Sequence, residues 1–433
     1  MIKVVLSSII DIISGGTPQT SIEEYWNNGN IGWLSVTDFN NDLRFVYDSE
    51  KKITKKGLNE SNTKLLEYGD IIISARGTVG ALAQIGIPMC FNQSCFGIRG
   101  KKDKVDNDFL FYALRNYVQH IKKRSQGSVF DTINLKSFDL MEIEIPKTIS
   151  TQQKIAKVLS DLDAKIEINN RINIELEAMA KTLYDYWFVQ FDFPDTNGKP
   201  YKSTGGKMDW NAELKREIPE GWEVKMLLDI ATFVNGLACQ KFRPKENEDS
   251  YRVIKIREMG TGFTENSEFV STNIPEKVVI HNGDILFSWS ATLDVKIWTG
   301  GTGALNQHIF KITSNDFPKS YFYFELLNYL QHFKMQAELR KTTMGHITQD
   351  HLRQSRITIP TLELIEKLDE ILKPILDKKV KLEEENQELA SLRDWLLPML
   401  MNGQVSAGDV EALRQPQDDM LGMVAEPREI YKN

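Results

Sequence analysis

At 433 residues the chain is longer than one ordinary domain, so we expect two or three globular units. Hydrophobic residues make up 41% and charged residues 26%, which is typical of folded protein and excludes wholesale disorder. The net charge of −7 resides in residues 361–433, whereas residues 1–150 and 191–360 are each almost neutral. Because those two blocks can carry local basic faces, the charge does not exclude a nucleic-acid partner.

The N-terminal segment MIKVVLSSIIDII is interrupted by Asp11 and is not followed by a small-residue cleavage site, so it is interpreted as a first strand or helix. No stretch approaches the roughly 18 apolar residues that a membrane span requires. The three cysteines, Cys90, Cys95 and Cys239, are too few for a disulfide framework and lack zinc-ligand spacing. We therefore expect buried free thiols and a cytoplasmic protein.

One domain is present twice in the chain. Three short segments recur with one common shift: Gly69–Ser74 (GDIIIS) as Gly283–Ser288 (GDILFS), Asn92-Gln93 as Asn306-Gln307, and Ile145-Pro146 as Ile359-Pro360. The shift is far longer than the roughly 20–50 residues of a solenoid repeat. The duplication therefore concerns a whole domain.

Each copy contains short apolar or β-branched runs that begin after a Gly-Asp turn or end at a proline, which predicts strands. Aromatic-rich helical patterns are shorter, at 109–114 and 321–327. Each copy is therefore predicted to be an α+β domain with a mixed, largely antiparallel sheet and short helices.

A heptad pattern follows each copy and predicts a long helix. The predicted seam of the first helix consists of Ile155, Leu159, Leu162, Ile166, Asn169, Asn173, Leu176, Ala180, Leu183 and Trp187. The predicted seam of the second helix consists of Leu364, Leu368, Ile371, Ile375, Lys378, Leu382, Glu385, Leu389, Leu392 and Leu396. Both seams are polar near the middle, which costs stability but fixes register and partner. We predict an antiparallel coiled coil; the alternative is two unrelated amphipathic helices on separate cores.

The predicted organisation is a first domain at 1–150, a long helix at 151–190, a linker at 191–217, a second domain at 218–360, a second long helix at 361–401, and a polar acidic tail at 402–433. From Ile155 to Trp187 the first helix would measure about 48 Å at ~1.5 Å per residue. Antiparallel helices of that length would act as a spacer between the two domains.

Two loops at equivalent points of the repeat have the composition expected for gripping a nucleic-acid duplex. The first contains Lys122, Lys123, Arg124, Ser125, Gln126 and Ser128, and the second contains Arg340, Lys341, Thr342, Thr343 and His346. Cations there can neutralise phosphates, and hydroxyl or amide groups can bond phosphates or base edges. The alternative is a pair of solvated basic turns.

A third candidate follows the strand of the first copy, at Arg76 and Thr78. Its predicted counterpart in the second copy is Trp289–Ala291, where the arginine is absent. Such a difference is expected of two modules that bind different sequences. Trp33 is interpreted as a core aromatic residue, and His308 as a hydrogen-bonded core histidine.

The sequence lacks the motifs of catalysis. It contains no G-x-x-x-x-G-K-[ST] loop, no glycine-rich cofactor fingerprint and no Pro-Pro, so the Asn/Asp-Pro-Pro-aromatic tetrapeptide of amino-methyltransferases is absent. Pro194-Asp195 is followed by Thr196–Lys199, which lacks the second acid that a nuclease metal site needs before its lysine, and the six histidines have no ligand spacing. We therefore predict no catalytic residue and no metal site in this chain.

The duplicated domain alternating with long helices resembles the specificity subunit of Type I restriction–modification systems. The segments that carry the resemblance are GDIIISARGTVG, GDILFSWSATL, IPEGWEVKMLLDI and the bridge FDFPDTNGKPYKSTGGKMDW, and the similarity extends over about residues 1–403. Each motif is weakly specific alone, whereas the set in this order is highly specific.

The resemblance implies that each domain is a target recognition domain for one half of a split, asymmetric DNA site. It implies that the helices space the domains and dock two methyltransferase (modification) subunits, which restriction (translocase–nuclease) subunits join. S-adenosylmethionine, ATP and Mg²⁺ would then be bound by those partners. Two other classes stay open: a free-standing bipartite DNA-binding regulator, and a nuclease or methylase with a cryptic site.

Overall fold

The computed structural model describes residues 1–124, 132–339, 347 and 349–410. It comprises two units: unit 1 is Met1–Ile168 with Gln387–Asn433, and unit 2 is Asn169–Asn386. Each unit contains one copy of the repeated domain and one half of each long helix. Each long helix is therefore divided between the two units.

Unit 1 has two sheets and a two-stranded ribbon. The strands of the five-stranded sheet are, in order, Ile10–Ser14, Cys95–Gly100, Ile71–Ser74, Leu82–Ile85 and Phe45–Val46. Those of the four-stranded sheet are Lys51–Ile53, Ile31–Leu34, Met89–Phe91 and Leu65–Leu66, and Ile2–Val5 pairs with Glu142–Ile145. The α-helices of the domain are Leu6–Ile9, Val36–Phe39, Lys55–Asn59, Asn107–Arg124 and Leu135–Leu140.

Unit 2 repeats this plan. One four-stranded sheet contains, in order, Thr232–Asn235, Ile309–Thr313, Ile285–Ser288 and Asp294–Ile297. The other contains Phe269–Ser271, Ser250–Ile254, Gly303–Leu305 and Val279–Ile280, and Glu223–Lys225 pairs with Ile357–Ile359. The α-helices of the domain are Leu227–Ile230, Ile256–Thr261, Lys319–Leu339 and Gln349–Gln354.

The sheets are mixed and largely antiparallel, as predicted. Parallel pairing joins Ile31–Leu34 to Met89–Phe91 and Phe45–Val46 to Leu82–Ile85 in unit 1, and Ser250–Ile254 to Gly303–Leu305 in unit 2. The remaining strand pairs of the domain sheets are antiparallel.

The core of each unit forms where the aromatic-rich helix covers one face of the antiparallel sheet. In unit 1 Phe109 and Leu110 are fully buried with Ile71 and Leu159. In unit 2 Phe324 and Phe287 are fully buried with Leu372. Because residues of the long helices belong to both cores, each domain is fixed directly to the helix halves of its own unit.

The long helices run from Ile149 to Tyr184, with a π-helical turn at Asp185–Val189, and from Leu362 to Met401. In unit 2 Asn169 bonds Asn386 and Glu177 bonds Lys379, so the helices pair antiparallel there. Every predicted seam position of the first helix is buried or half-buried, among them Leu159, Leu162, Ile166, Leu176 and Leu183.

The predicted seam of the second helix is wrong at alternate positions. Leu368 is buried, and Ile375 and Leu389 are half-buried, but Ile371 and Leu392 are 44% and 43% exposed. Their neighbours Leu372 and Arg393 are buried instead, at 0% and 5% exposure. The prediction transferred the first helix's spacing with one fixed shift, whereas the buried line steps by three and then four residues from Ile365.

Two further boundaries need correction. The predicted linker at 191–217 is folded: Met208–Asn211 pairs with Arg216–Pro219, and Phe193 stacks on Tyr201 and Trp222. The predicted tail begins with residues that belong to the core of unit 1, since Ala407 is buried there. Residues 411–433 lie outside the described part of the chain.

Candidate nucleic-acid interface

A tight turn follows the strand Ile71–Ser74 in unit 1. The Ser74 hydroxyl donates to the Thr78 carbonyl and accepts from the backbone N–H of Ala81 at 2.8 Å. Gly77 takes a left-handed conformation with φ +74°, which glycine adopts at no steric cost. The serine thus holds the turn closed while Arg76, Gly77 and Thr78 are exposed.

The same turn is present in unit 2. The Ser288 hydroxyl donates to the Thr292 carbonyl at 2.5 Å and accepts from the backbone N–H of Asp294 at 3.0 Å. The position of Gly77 is occupied by Ala291, which keeps φ at +57°. An alanine in the left-handed region costs roughly 1–2 kcal/mol, so the surroundings impose this turn on the sequence.

The turns correct the predicted correspondence by one residue. Trp289 occupies the position of Ala75, and Ser290 that of Arg76, because each strand-ending serine is followed four residues later by its threonine. Arg76 is exposed, whereas Ser290 is 5% exposed. The two turns share a backbone shape and differ in the side chains that they carry.

A second turn lies beside the first in each unit. The backbone N–H of Ala75 donates to the Ser94 carbonyl at 2.8 Å, and that of Trp289 donates to the His308 carbonyl at 3.3 Å. This turn carries the repeated Asn-Gln pair. Gly15 packs so closely on it that an added Cβ would lie 2.0 Å from the Asn92 carbonyl oxygen.

In unit 2, Trp289 and His308 form one half-buried group. Their ring centroids are 5.5 Å apart, and the indole N–H of Trp289 donates to Asn235 Oδ1 at 3.4 Å. His308 Nε2 lies 3.2 Å from Gln307 Nε2. The histidine therefore lies at the turn and is half-buried, whereas the sequence analysis places it in the core.

The predicted loops return to the fold beside these turns. The backbone N–H of Ile133 donates to the Ala75 carbonyl at 2.9 Å, and that of Ile347 donates to the Trp289 carbonyl at 2.9 Å. In the first loop Lys122, Lys123 and Arg124 end the helix Asn107–Arg124, but their side chains are outside the described part of the structure. The other predicted loop residues are outside it entirely: Ser125, Gln126, Ser128, Arg340, Lys341, Thr342, Thr343 and His346.

Sequence analysis missed the two serines and the full extent of the repeat. Both signals are readable in the sequence: a serine four residues before a threonine after each Gly-Asp strand, and Asn116–His120 (NYVQH) recurring as Asn328–His332 (NYLQH). The first repeat sets a turn. The second lies on the aromatic helix that leads into each predicted loop.

The metal-ligating side chains of the described residues are dispersed. They include no group of three or more His, Cys, Asp and Glu side chains placed to hold a metal ion. The three cysteines are free and buried, as predicted, and burial raises the pKa of the Cys90 thiol to about 11 and that of Cys95 to about 12. Such thiols stay protonated and are poor nucleophiles. No helix in the described ranges is long and apolar enough to cross a membrane.

The two units are therefore copies of one domain that carry different side chains on a shared turn. The family model of the Type I restriction modification DNA specificity domain matches residues 2–178 and again 219–391. The chain therefore belongs to that family and contains its domain twice.

The relatives agree over most of the chain. A Type I restriction enzyme MjaIX specificity subunit of Methanocaldococcus jannaschii is 29% identical over 92% of both chains. A HindI specificity subunit of Haemophilus influenzae is 26% identical over 69% of this chain and 77% of its own. The solved S subunit from M. genitalium has the same fold, with a TM-score of 0.51 at 14% identity over 92% of this chain and 95% of that one.

Proposed function

We propose that this chain is the specificity subunit of a Type I restriction–modification enzyme. It recognises a bipartite, asymmetric DNA site, with one half-site bound by each unit. The observation that carries the proposal is the duplicated turn: Ser74 and Ser288 give both units the same backbone, while the exposed Arg76 of unit 1 is replaced by the buried Ser290 in unit 2. Contacts to DNA phosphates position a protein on its site, whereas side chains that contact base edges distinguish the sequence.

The partners follow from the same assignment. The chain scaffolds two methyltransferase subunits, and restriction subunits join them in the cytoplasm. Apolar side chains off the first helix's seam support a docking role, since Ile168 and Ile174 are 51% and 66% exposed. S-adenosylmethionine, ATP and Mg²⁺ are bound by the partners, which supply adenine methylation and ATP-dependent cleavage. The chain alone catalyses neither reaction.

The decisive experiment is to map adenine methylation in cells that express this chain with its methyltransferase. A split motif with two defined half-sites is expected. In the Arg76→Ala variant the half-site bound by unit 1 should become degenerate, with the other half-site unchanged. Lys55→Ala, an exposed cation on the short helix Lys55–Asn59, is the matched control and should leave the motif intact.

A free-standing regulator is the competing assignment, and gel filtration separates the two. A specificity subunit forms a stable complex with the methyltransferase encoded beside it. If the chain is monodisperse, forms no complex with the methyltransferase and binds DNA tightly, the assignment as a free-standing regulator would be favoured.

A further inference from the structure

The second long helix carries three polar residues in its buried seam, each one heptad from the next: Lys379, Asn386 and Arg393. Asn386 and Arg393 are 9% and 5% exposed, and the Lys379 side chain is 16% exposed. Buried ammonium and guanidinium groups are costly unless an anion neutralises them. Each of the three must therefore be satisfied by the helix that packs on it.

The first long helix supplies a matching residue to each one. In unit 1 Arg393 forms an ion pair with Asp163 at 2.7 Å, and both side chains are almost fully buried. In unit 2 the Asn386 amide donates to Asn170 at 2.8 Å, and Lys379 forms an ion pair with Glu177 at 2.7 Å.

The recognition domains reinforce both acids. The buried Tyr112 hydroxyl of unit 1 donates to Asp163, and the Tyr323 hydroxyl of unit 2 donates to Glu177 at 3.4 Å. Each carboxylate therefore holds two partners at once. Both acids lie on the first helix. In each unit the domain therefore stabilises a negative charge on the first helix and not on the second.

The three pairs have one direction of charge. Acid, amide and acid stand at heptad spacing on the first helix, and cation, amide and cation stand at heptad spacing on the second. This polarity departs from the internal repeat of the buried seams, in which Leu376 takes the position of Asp163 and Ala180 takes that of Arg393. The two helices are copies in their apolar seam and opposites in their polar residues.

Pairing between two second helices would not satisfy these cations. In the same antiparallel packing Lys379 would face Ala390 of the other copy, and Arg393 would face Leu376. Neither can accept a hydrogen bond from its side chain. Both Lys379 ammonium groups of such a dimer would be buried without an anion, and both Arg393 groups would lose Asp163 and keep only Asp394 of their own helix. Homotypic association is thus selected against by unsatisfied charge.

We propose that the three polar pairs form a partner-selection surface. The second long helix accepts only a helix that carries acid, amide and acid at heptad spacing, and the first long helix of this chain meets that requirement. The surface keeps the helices of one chain paired with each other and prevents two copies from joining through their second helices. The proposal is independent of the DNA sequence that the protein binds.

The first test exchanges one pair in the full-length chain. Glu177→Lys and Lys379→Glu should each lower the midpoint of thermal unfolding by several degrees, and the double variant should recover at least half of the combined loss. Lys381→Glu, an exposed lysine of the same helix, is the matched control and should leave the midpoint unchanged. A double variant as unstable as the two losses added together would overturn the proposal.

The second test asks whether the surface selects partners between chains. One full-length chain carries Asp163→Lys with Glu177→Lys, and a second, differently tagged chain carries Lys379→Glu with Arg393→Glu. Neither chain is complementary within itself, but each helix of one matches a helix of the other. Co-expression should give a 1:1 complex by tag capture and light scattering, whereas two differently tagged wild-type chains should not associate. Failure to capture the mixed complex would overturn partner selection.

Discussion

Glu325 is a carboxylic acid enclosed by the core of unit 2. It is 8% exposed and accepts a hydrogen bond from the Tyr184 hydroxyl at 2.6 Å. Burial raises its pKa to about 7, against the lowering effects of that hydrogen bond and of Arg216. Folding therefore favours the protonated form of this group.

The pH dependence of stability follows from that shift. Because the folded pKa lies above the unfolded value, the folded state binds the proton more tightly, and stability falls as pH rises from about 4.5 through 7. The size of the effect is on the order of 3 kcal/mol. We expect Glu325→Gln to flatten this part of the profile, measured by urea denaturation at pH 5, 6, 7 and 8. Equal slopes in variant and wild type would show that Glu325 does not titrate in this range.

The left-handed turn residues allow a reciprocal comparison. Ala291→Gly should stabilise unit 2 by about 1 kcal/mol, because glycine carries no Cβ penalty at positive φ. Gly77→Ala should destabilise unit 1 by a similar amount through the backbone alone, since no atom lies within 4 Å of the added Cβ. Denaturant midpoints of the two variants measure both effects. Shifts of the same sign would contradict the shared geometry of the turns.

At the scale of the elements, the corrected seam of the second helix makes a direct prediction. Leu372→Ala should cost about 2–5 kcal/mol, because Leu372 is fully buried in the core of unit 2. Ile371→Ala, the adjacent and more exposed position, should cost less than about 1 kcal/mol. Thermal unfolding of the pair compares the two registers. A larger loss at Ile371 would restore the register predicted from the sequence.

The difference between the two registers shows what the sequence could predict. The strands after each Gly-Asp turn, the long helices and the apolar seam of the first helix were predictable, because burial imposes a period on the residues themselves. The seam of the second helix was not, since Arg393 and Lys379 are buried there as partners of Asp163 and Glu177. When a polar residue is buried because it pairs with a residue far away in the chain, the local sequence does not show the apolar periodicity that predicts a buried seam.

The turns illustrate the same limit within the candidate interface. The basic composition of the loops was visible, and so was Arg76. In contrast, Ser94 and Ile133 both lie beside Ala75 because their backbones are hydrogen-bonded to it, although the three residues are far apart in the chain. Contacts between segments so far apart leave no local pattern in the sequence from which they could be predicted.

At the scale of the whole molecule, the two units have separate cores and separate turns, so their contributions to DNA binding should be independent. Arg76→Ala should weaken binding through one half-site and Trp289→Ala through the other. In the double variant the two fold-losses should multiply. Losing the Arg76 cation should also reduce the salt dependence of binding, because one positive charge leaves the interface, whereas losing the uncharged Trp289 should not.

Fluorescence anisotropy of labelled duplexes across a salt series measures both quantities for the complex with its methyltransferase. Oligonucleotides that contain only one intact half-site serve as controls. A double variant no weaker than either single variant would mean that the two turns act on one common site.

The strand-end serines have a consequence for how new specificities arise. Each turn is closed by a hydroxyl and by main-chain groups, Ser74 with the Thr78 carbonyl and Ser288 with the Thr292 carbonyl. None of these bonds involves the side chains of the first two of the three residues in between. Alanine and arginine occupy those positions in one copy, and tryptophan and serine in the other. Among these four positions Arg76 is exposed, whereas Ala75 and Ser290 are 3% and 5% exposed and Trp289 is half-buried. A substitution of Arg76 therefore changes the exposed chemistry of the turn without disturbing its packing. A library randomised at Arg76 should therefore yield mostly folded proteins with altered target preferences in the half-site bound by unit 1.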